Sequence, residues 1–225
     1  GKSTLAAALA NEAIAAGRRT AIVDADVGQS SIGPPACVGV AIPRRGFASL
    51  DDLPADRIDF VGACSPPAHL LQVATSAAVL ATAARSAGCE TIIIDTSGMV
   101  SGGLARALKV AKIRLLDPDI VIALQSEDEV EHLVAAYRTR SRPRVLHLRT
   151  SRQAKLRSRE ERTANRQRKF AAYLDGAEVV DVCWEEAPVE NSPWTSGEPA
   201  PGHIAAYAEE QIGCEVLYAE RQADG

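Results

Sequence analysis

The 225 residues include 46% hydrophobic and 24% charged side chains, the composition of a globular domain with at most a smaller appended piece. No run of apolar residues approaches the roughly 18–20 that a membrane span needs, so a membrane partner is not expected. The net charge of −4 hides an asymmetry: residues 138–169 hold 13 Lys/Arg against Glu160 and Glu161, so this block is strongly basic and the remainder strongly acidic.

In chain order, residues 3–16 read as a helix, with Leu5, Leu9 and Ile14 near one face and Gly17 as its stop. TAIVDAD (20–26) reads as a short apolar strand ending in acids. A Gly/Pro-rich loop follows, VGQSSIGPPACVGVAIP, and 44–60 is a weakly patterned excursion. A helix is expected over 68–87, a buried strand over 91–95, a helix over 103–115, the strand DIVIALQ, a helix over 126–138 and the strand RVLHLR. The arginine-rich segment 153–174 reads as another helix, capped by Gly176. From 177 the character changes to prolines, short strands, Trp184 and Trp194, and a last strand EVLYAER with no obvious partner.

Continuous apolar strands alternating with helices predict an α/β fold: a parallel sheet covered on both faces. The expected boundaries are a domain over 1–176 and a partial C-terminal α+β module over 177–225. The five cysteines (Cys37, Cys64, Cys89, Cys183, Cys214) form no C-x-x-C pair and read as reduced core thiols. His147 reads as a core residue of its strand, and no His/Cys cluster has metal spacing.

The opening GKST carries the last three positions of G-x-x-x-x-G-K-[ST], the loop that cradles phosphates. A lone GKS is weak evidence, but here it opens a helix, whose N-terminus favours anions. Two later strands also end in acids, at Asp24/Asp26 and at Asp95. Phosphates need backbone donors and a point charge, which Gly1, Lys2, Ser3 and Thr4 would supply. Mg²⁺ needs a hydroxyl and a nearby carboxylate, which Ser3 and one or two of Asp24, Asp26 and Asp95 would supply. Asp95 ends its strand at the usual place for the Mg²⁺-side acid, and Asp26 could instead face a second substrate as a base. Asp24 reads more simply as a structural acid at the strand end. No guanine-reading N/T-K-x-D follows the later strand, which leaves ATP as the expected nucleotide. The absent first half of the loop predicts that the chain as written binds ATP poorly and folds marginally.

From VDADVGQSSIGPP onward the sequence resembles the polynucleotide 5′-hydroxyl kinase family, over residues 1 to about 176. GKST looks like the end of the family's ATP loop. DADVGQ resembles its D/E-x-D-x-G-Q segment, which puts Asp26 on the catalytic acid with Gln29 beside it. IIIDTSGMVSGGLARALKVAKI looks like the clasp that grips the 5′ end of the substrate, through Thr96, Ser97, Gly98 and Met99. Where the family commonly reads T-G-W, this chain has Ser97, Gly98 and Met99; a methionine can lie against a base through its polarizable sulfur. RSREERTANRQRKFAAYLDG resembles the arginine lid, with Arg157 and Arg162 on the family's spaced pair. Residues 159, 162 and 166 share one helix face, with 157 at its edge.

The resemblance implies an ATP- and Mg²⁺-dependent phosphotransferase acting on a nucleic-acid 5′-hydroxyl, RNA rather than DNA, with protein partners in RNA processing. In that reading Lys2 holds the β/γ-phosphates, Thr4 touches an adjacent phosphate, and Arg157 and Arg162 stabilise the transition state. Arg166 and Gln29 stand on the substrate side. The expected setting is the cytoplasm for an archaeal or bacterial chain and the nucleus for a eukaryotic one. Two other readings are a MinD-like P-loop switch ATPase, which shares the D-x-D after the first helix, and a catalytically weak relative serving as an ATP-bound scaffold.

Overall fold

Helix α1 (Lys2–Ala15) forms from an alanine-rich run with strong helix propensity and ends where Gly17 adopts φ +77°. It feeds β1 (Thr20–Ala25), buried at all six positions. Alternation along β1 then sorts the core into two layers. Ala21, Val23 and Ala25 point into one cluster with Val73, Ala77, Leu80 and Leu108, while Ile22 joins Ala6, Ala7 and Ala10 of α1 on the other face. Burial of side chains the size of Ile22 and Val23 contributes about 1.5–3 kcal/mol each. In this computed structural model, residues 1–151, 158–181, 198–212 and 220–221 are described.

The first sheet has the order β3-β2-β1-β4. Strand β4 (Thr91–Thr96) is parallel to β1 in the register Thr20↔Thr91 through Ala25↔Thr96. Helices α2 (Leu70–Ser86) and α3 (Gly102–Leu116) cover one face and α1 the other. The expected parallel sheet with helices on both faces is therefore present at β1 and β4. It is extended by two strands that the sequence reading leaves as loop. Strands β2 (Cys37–Ala41) and β3 (Arg57–Phe60) pair antiparallel, β2 on β1 and β3 on β2, making the sheet mixed. Cys37, Val38 and Val40 are buried, so β2 is a core strand despite its prolines upstream and its internal Gly39.

Strands β5 (Ile120–Gln125) and β6 (Arg144–Arg149) form a separate parallel pair. The helix expected over 126–138 is mostly absent. Glu129 accepts from the backbone N–H groups of Ser126 and Glu127 at 2.8 and 2.9 Å, which holds a turn. Only α4 (Glu131–Val134) and a 3₁₀ turn, Ala135–Tyr137, follow. His147 is not a core residue: it is exposed, and its Nδ1 lies 3.0 Å from Glu131. Helix α5 (Arg159–Leu174) starts at a Ser158 cap, whose Oγ accepts from Glu161 N at 3.2 Å.

The chain divides into two units, Gly1–Asp175 and Gly176–Gly225. In the second, β7 (Glu198–Pro199) precedes α6 (Gly202–Ile212) and pairs antiparallel with β8 (Glu220–Arg221). The last strand of the sequence therefore has a partner. Cys37, Cys64 and Cys89 are free; Cys183, Cys214, Trp184 and Trp194 lie outside the described residues. No described helix is long and apolar enough to cross a membrane.

Candidate active site

Parallel strands in register bring their carboxyl ends to one edge, where open α/β sheets bind ligands. Here Asp24 stands opposite Asp95 and Ala25 opposite Thr96, so the acids and the turn after β4 converge there. The start of α1 meets them. The Ser3 hydroxyl hydrogen-bonds the Asp95 carboxyl, and the Lys2 ammonium lies beside the same group. Lys2 also reaches the turn after β4, where a Cβ added to Gly98 would meet its Nζ at 3.7 Å. Gly1, Lys2, Ser3 and Thr4 are exposed; the Gly1 amine donates to Thr4 Oγ1 at 3.3 Å, and Leu5 N to the Gly1 carbonyl at 3.0 Å. The first N–H groups of α1 have no partner within the helix, as at any helix start.

Asp24 is buried and acts as a structural clamp. Its Oδ1 accepts from Asp26 N at 3.0 Å, and its Oδ2 accepts from Ser31 N and, at 3.2 Å, from Ile32 N. The loop 26–32 is thereby folded back on the end of β1. Burial, then the Asp95 charge, pushes the Asp24 carboxyl up to about 7, against the pull of those N–H donors. Burial likewise raises Asp95, with the Ser3 bond and Lys2 opposing. Asp26 is held differently. Its Oδ1 accepts from Gly28 N at 3.1 Å and Gln29 N at 3.2 Å, while its Oδ2 has no hydrogen-bond partner among the described residues. Gly28 is required by a close approach: a Cβ there would lie 2.8 Å from the Cys64 carbonyl oxygen.

Gln29 joins this loop to the arginine-rich helix. Its Nε2 donates to the Arg162 carbonyl at 3.1 Å, and its Oε1 accepts from Asn165 Nδ2 at 3.2 Å. Asn165 is buried, and Lys169 pairs with Asp51 one helical turn further on. Arg162 is exposed, with Nε donating to the Ser158 carbonyl at 3.3 Å; Arg166 Nη2 donates to Thr163 Oγ1 at 2.9 Å. Arg157 lies outside the described residues.

In the turn after β4, Thr96 and Met99 are half-buried and Gly98 is exposed. Met99 packs against the core cluster under α2 and α3. Ser97 is buried, and its Oγ finds no hydrogen-bond partner among the described residues. Beneath the turn stand two lysines that the sequence reading passes over. Lys109 Nζ donates to Thr96 Oγ1 at 2.9 Å and to the Ser97 carbonyl at 2.6 Å; Lys112 Nζ, buried, donates to the Ala25 carbonyl at 3.3 Å. Burial first, then its cationic neighbours Lys112 and Lys2, draws Lys109 down to about 7; burial draws Lys112 down to about 8 against the pull of Asp26, Asp24 and Asp95. A signal for Lys112 exists in the sequence. It interrupts the apolar stripe Ala105, Leu108, Leu116, where a lysine has no reason to sit unless it meets an acceptor.

The Ser3–Asp95 pair, with Asp26 in electrostatic reach of Asp95, is a set of hard oxygen donors that suits Mg²⁺. Among the described residues no three His, Cys, Asp or Glu side chains cluster tightly enough to cage a metal. That is compatible with Mg²⁺, which keeps several waters and needs one or two carboxylates.

Comparison with known proteins gives the family and the fold. Residues 1–176 match the family described as mRNA cleavage and polyadenylation factor CLP1 P-loop. A polyribonucleotide 5′-hydroxyl-kinase of Methanocaldococcus jannaschii is 34% identical over 198 residues, covering 88% of this chain and 54% of that protein. One from Pyrococcus furiosus is 31% identical over 224 residues, covering 100% of this chain and 62% of the relative. The chain thus spans little more than half the length of the curated relatives it matches. Among solved structures, the wild-type Clp1p–Pcf11p complex has a chain that superposes with a TM-score of 0.55 at 13% identity, over 81% of this chain and 49% of that one. A second structure of an interface between Pcf11p and Clp1p gives 0.53 at 13% identity, over 73% and 44%. The likeness to both is one of fold. The chain belongs to the CLP1 P-loop family of P-loop proteins.

Proposed function

We propose that the protein transfers the γ-phosphate of ATP to the 5′-hydroxyl of a polynucleotide, RNA in preference to DNA. The observation that carries this reading is the state of Asp26. One carboxylate oxygen is fixed by two backbone N–H groups and the other is without a partner among the described residues, beside the Ser3–Asp95 pair. That is how a base accepting a hydroxyl proton must be held: oriented, yet with a lone pair to spare. The archaeal relatives named as polyribonucleotide 5′-hydroxyl-kinases support the acceptor class.

In this mechanism the first-turn amides of α1 and Lys2 bind the β- and γ-phosphates, with Thr4 on an adjacent phosphate. Ser3, Asp95 and the Asp26 side would hold Mg²⁺, which neutralises charge on the phosphate oxygens when bound. Asp26 accepts the proton of the acceptor hydroxyl as its oxygen bonds to the γ-phosphorus and the bond to the β-phosphate oxygen breaks, releasing ADP. Thr96, Ser97, Gly98 and Met99 receive the acceptor end, and Arg162 neutralises the migrating group from α5, a role also assigned to Arg157. Arg166 and Gln29 complete the acceptor side. An arginine in such a role contributes about 10³–10⁵ in rate. RNA-processing proteins are the proposed partners, in the cytoplasm or, for a eukaryotic chain, the nucleus.

The test is transfer of label from γ-labelled ATP to a 5′-hydroxyl oligoribonucleotide. Incorporation at the 5′ end is expected, and none into a 5′-phosphorylated oligonucleotide. A protein that binds ATP tightly yet transfers nothing to any 5′-hydroxyl end would refute the reading.

A further inference from the structure

Helix α3 begins at Gly102, directly after the turn that the proposed function assigns to the acceptor, and runs beneath that turn. Helical side chains lean toward the helix N-terminus, so a long one placed two turns along can reach back to the segment before the helix. Lys109 does this. Its ammonium bonds Thr96 Oγ1 and the Ser97 carbonyl, fixing a side chain and a peptide plane of the same turn. One turn further, Lys112 bonds the Ala25 carbonyl, the last residue of β1 and the one before Asp26. Two lysines on one helix therefore tie both strand ends of the site to a common support. Apolar side chains at these positions would fill the same space without the cost of burying a charge. Nothing in the packing of α3 alone calls for ammonium groups here.

We propose that Lys109 is a positioning residue for the acceptor-binding turn at 96–99, and that Lys112 plays the same part for the end of β1 that carries Asp26. The proposal rests on the kinase reading for the name of the acceptor, but its structural content stands apart from it. Neither lysine needs to touch a substrate. Lys109 acts through Thr96 and Ser97, and Lys112 through the backbone of Ala25.

The two roles separate in kinetics. K109M keeps the length of the side chain and removes the donors. It is expected to raise KM for a 5′-hydroxyl oligoribonucleotide about tenfold while KM for ATP stays within about twofold. K112M is expected to lower kcat about tenfold with both KM values nearly unchanged. The Tm of each variant should be unchanged or higher, since a methionine is easier to bury than an ammonium. Equal changes in the two KM values of K109M, or kinetics like those of the unaltered protein in both variants, would overturn the proposal. Should K109M fail to fold, K109R keeps a cation with altered geometry. A rise in acceptor KM alone again supports the role, and any other pattern contradicts it. Amide hydrogen exchange gives a readout independent of turnover. K109M should exchange faster at 96–103 and nowhere else; unchanged or global acceleration overturns the claim. If the unaltered protein transfers no phosphate, the kinase reading falls, and the exchange pattern alone decides the positioning role.

Discussion

Substituting Gly39 with alanine should be among the most damaging single-methyl changes in the chain. Gly39 lies in the buried strand β2, opposite Asp24 of β1. A Cβ there would fall 2.0 Å from the Ile32 carbonyl oxygen and 2.9 Å from its carbon, where ordinary contacts start at about 3.4 Å. The obstacle is backbone, so it cannot rotate away, and the loop must retreat by more than about 1 Å. That loop is held by Asp24 through Ile32 N, and the Ile32 carbonyl accepts from Ser30 Oγ at 3.0 Å. Overpacking costs about 1–3 kcal/mol, and loosening two buried hydrogen bonds adds about 1 kcal/mol each. The expected loss is about 3–5 kcal/mol, a large part of a domain's usual 5–15 kcal/mol. Urea unfolding measures it as a lower midpoint at unchanged m-value. Gly103→Ala is the control: no atom lies within 4 Å of its added Cβ inside α3, so stability should rise by about 0.5–1 kcal/mol. A Gly39→Ala protein within about 1 kcal/mol of the original would refute the close-approach argument.

Asn165→Ala removes the donor to Gln29 and should loosen α5 from the loop that carries Asp26. The expected result is faster amide exchange across 159–174 and a lower kcat, with global stability reduced by only about 1 kcal/mol; a slower-exchanging α5 would contradict the docking role. Stability in the absence of metal should carry the mark of Asp24. Its folded-state pKa is raised from 3.8 to about 7, so its contribution is full below about pH 4 and is lost as pH rises through about 7. Three pH units correspond to at most about 4 kcal/mol. Asp24→Asn should flatten the profile between pH 4 and 7, and an unchanged slope would assign it to other groups.

How much of this was readable beforehand differs by element. Strands β1 and β4 announce themselves because each is a continuous apolar run ending in an acid, and α1 to α3 follow from alanine-rich or periodic stretches. Strands β2 and β3 do not, because the segment around them carries Gly33, Pro34, Pro35 and Gly39 and reads as a loop. The glycine that weakens the strand signal is the one that lets Ile32 cross β2 in close contact. The helix expected over 126–138 fails for a local reason: Glu129 turns back onto the N–H groups of Ser126 and Glu127, which consumes the first turn. At the site, residue types and order were legible, so Lys2, Ser3, Asp26 and Asp95 could be named. The structural role of Asp24 was legible too, but not the loop it clamps, since its bonds to Asp26, Ser31 and Ile32 depend on loop geometry that no spacing encodes. Lys109 was missed because a lysine on a helix reads as a solvated face until its carbonyl partner is seen, whereas Lys112 stands in an apolar stripe that signalled it.

The most direct test of the account is single-turnover transfer by the Asp26→Asn protein, compared with the unaltered one at matched ATP occupancy. The substitution keeps an oxygen to accept from the Gly28 and Gln29 N–H groups and replaces the second carboxylate oxygen with an amide NH₂. ATP binding should stay within about threefold while transfer to a 5′-hydroxyl oligoribonucleotide falls by about 10²–10⁴. Transfer at an undiminished rate, with ATP bound as before, would contradict the assignment of Asp26 as the base and with it the central claim.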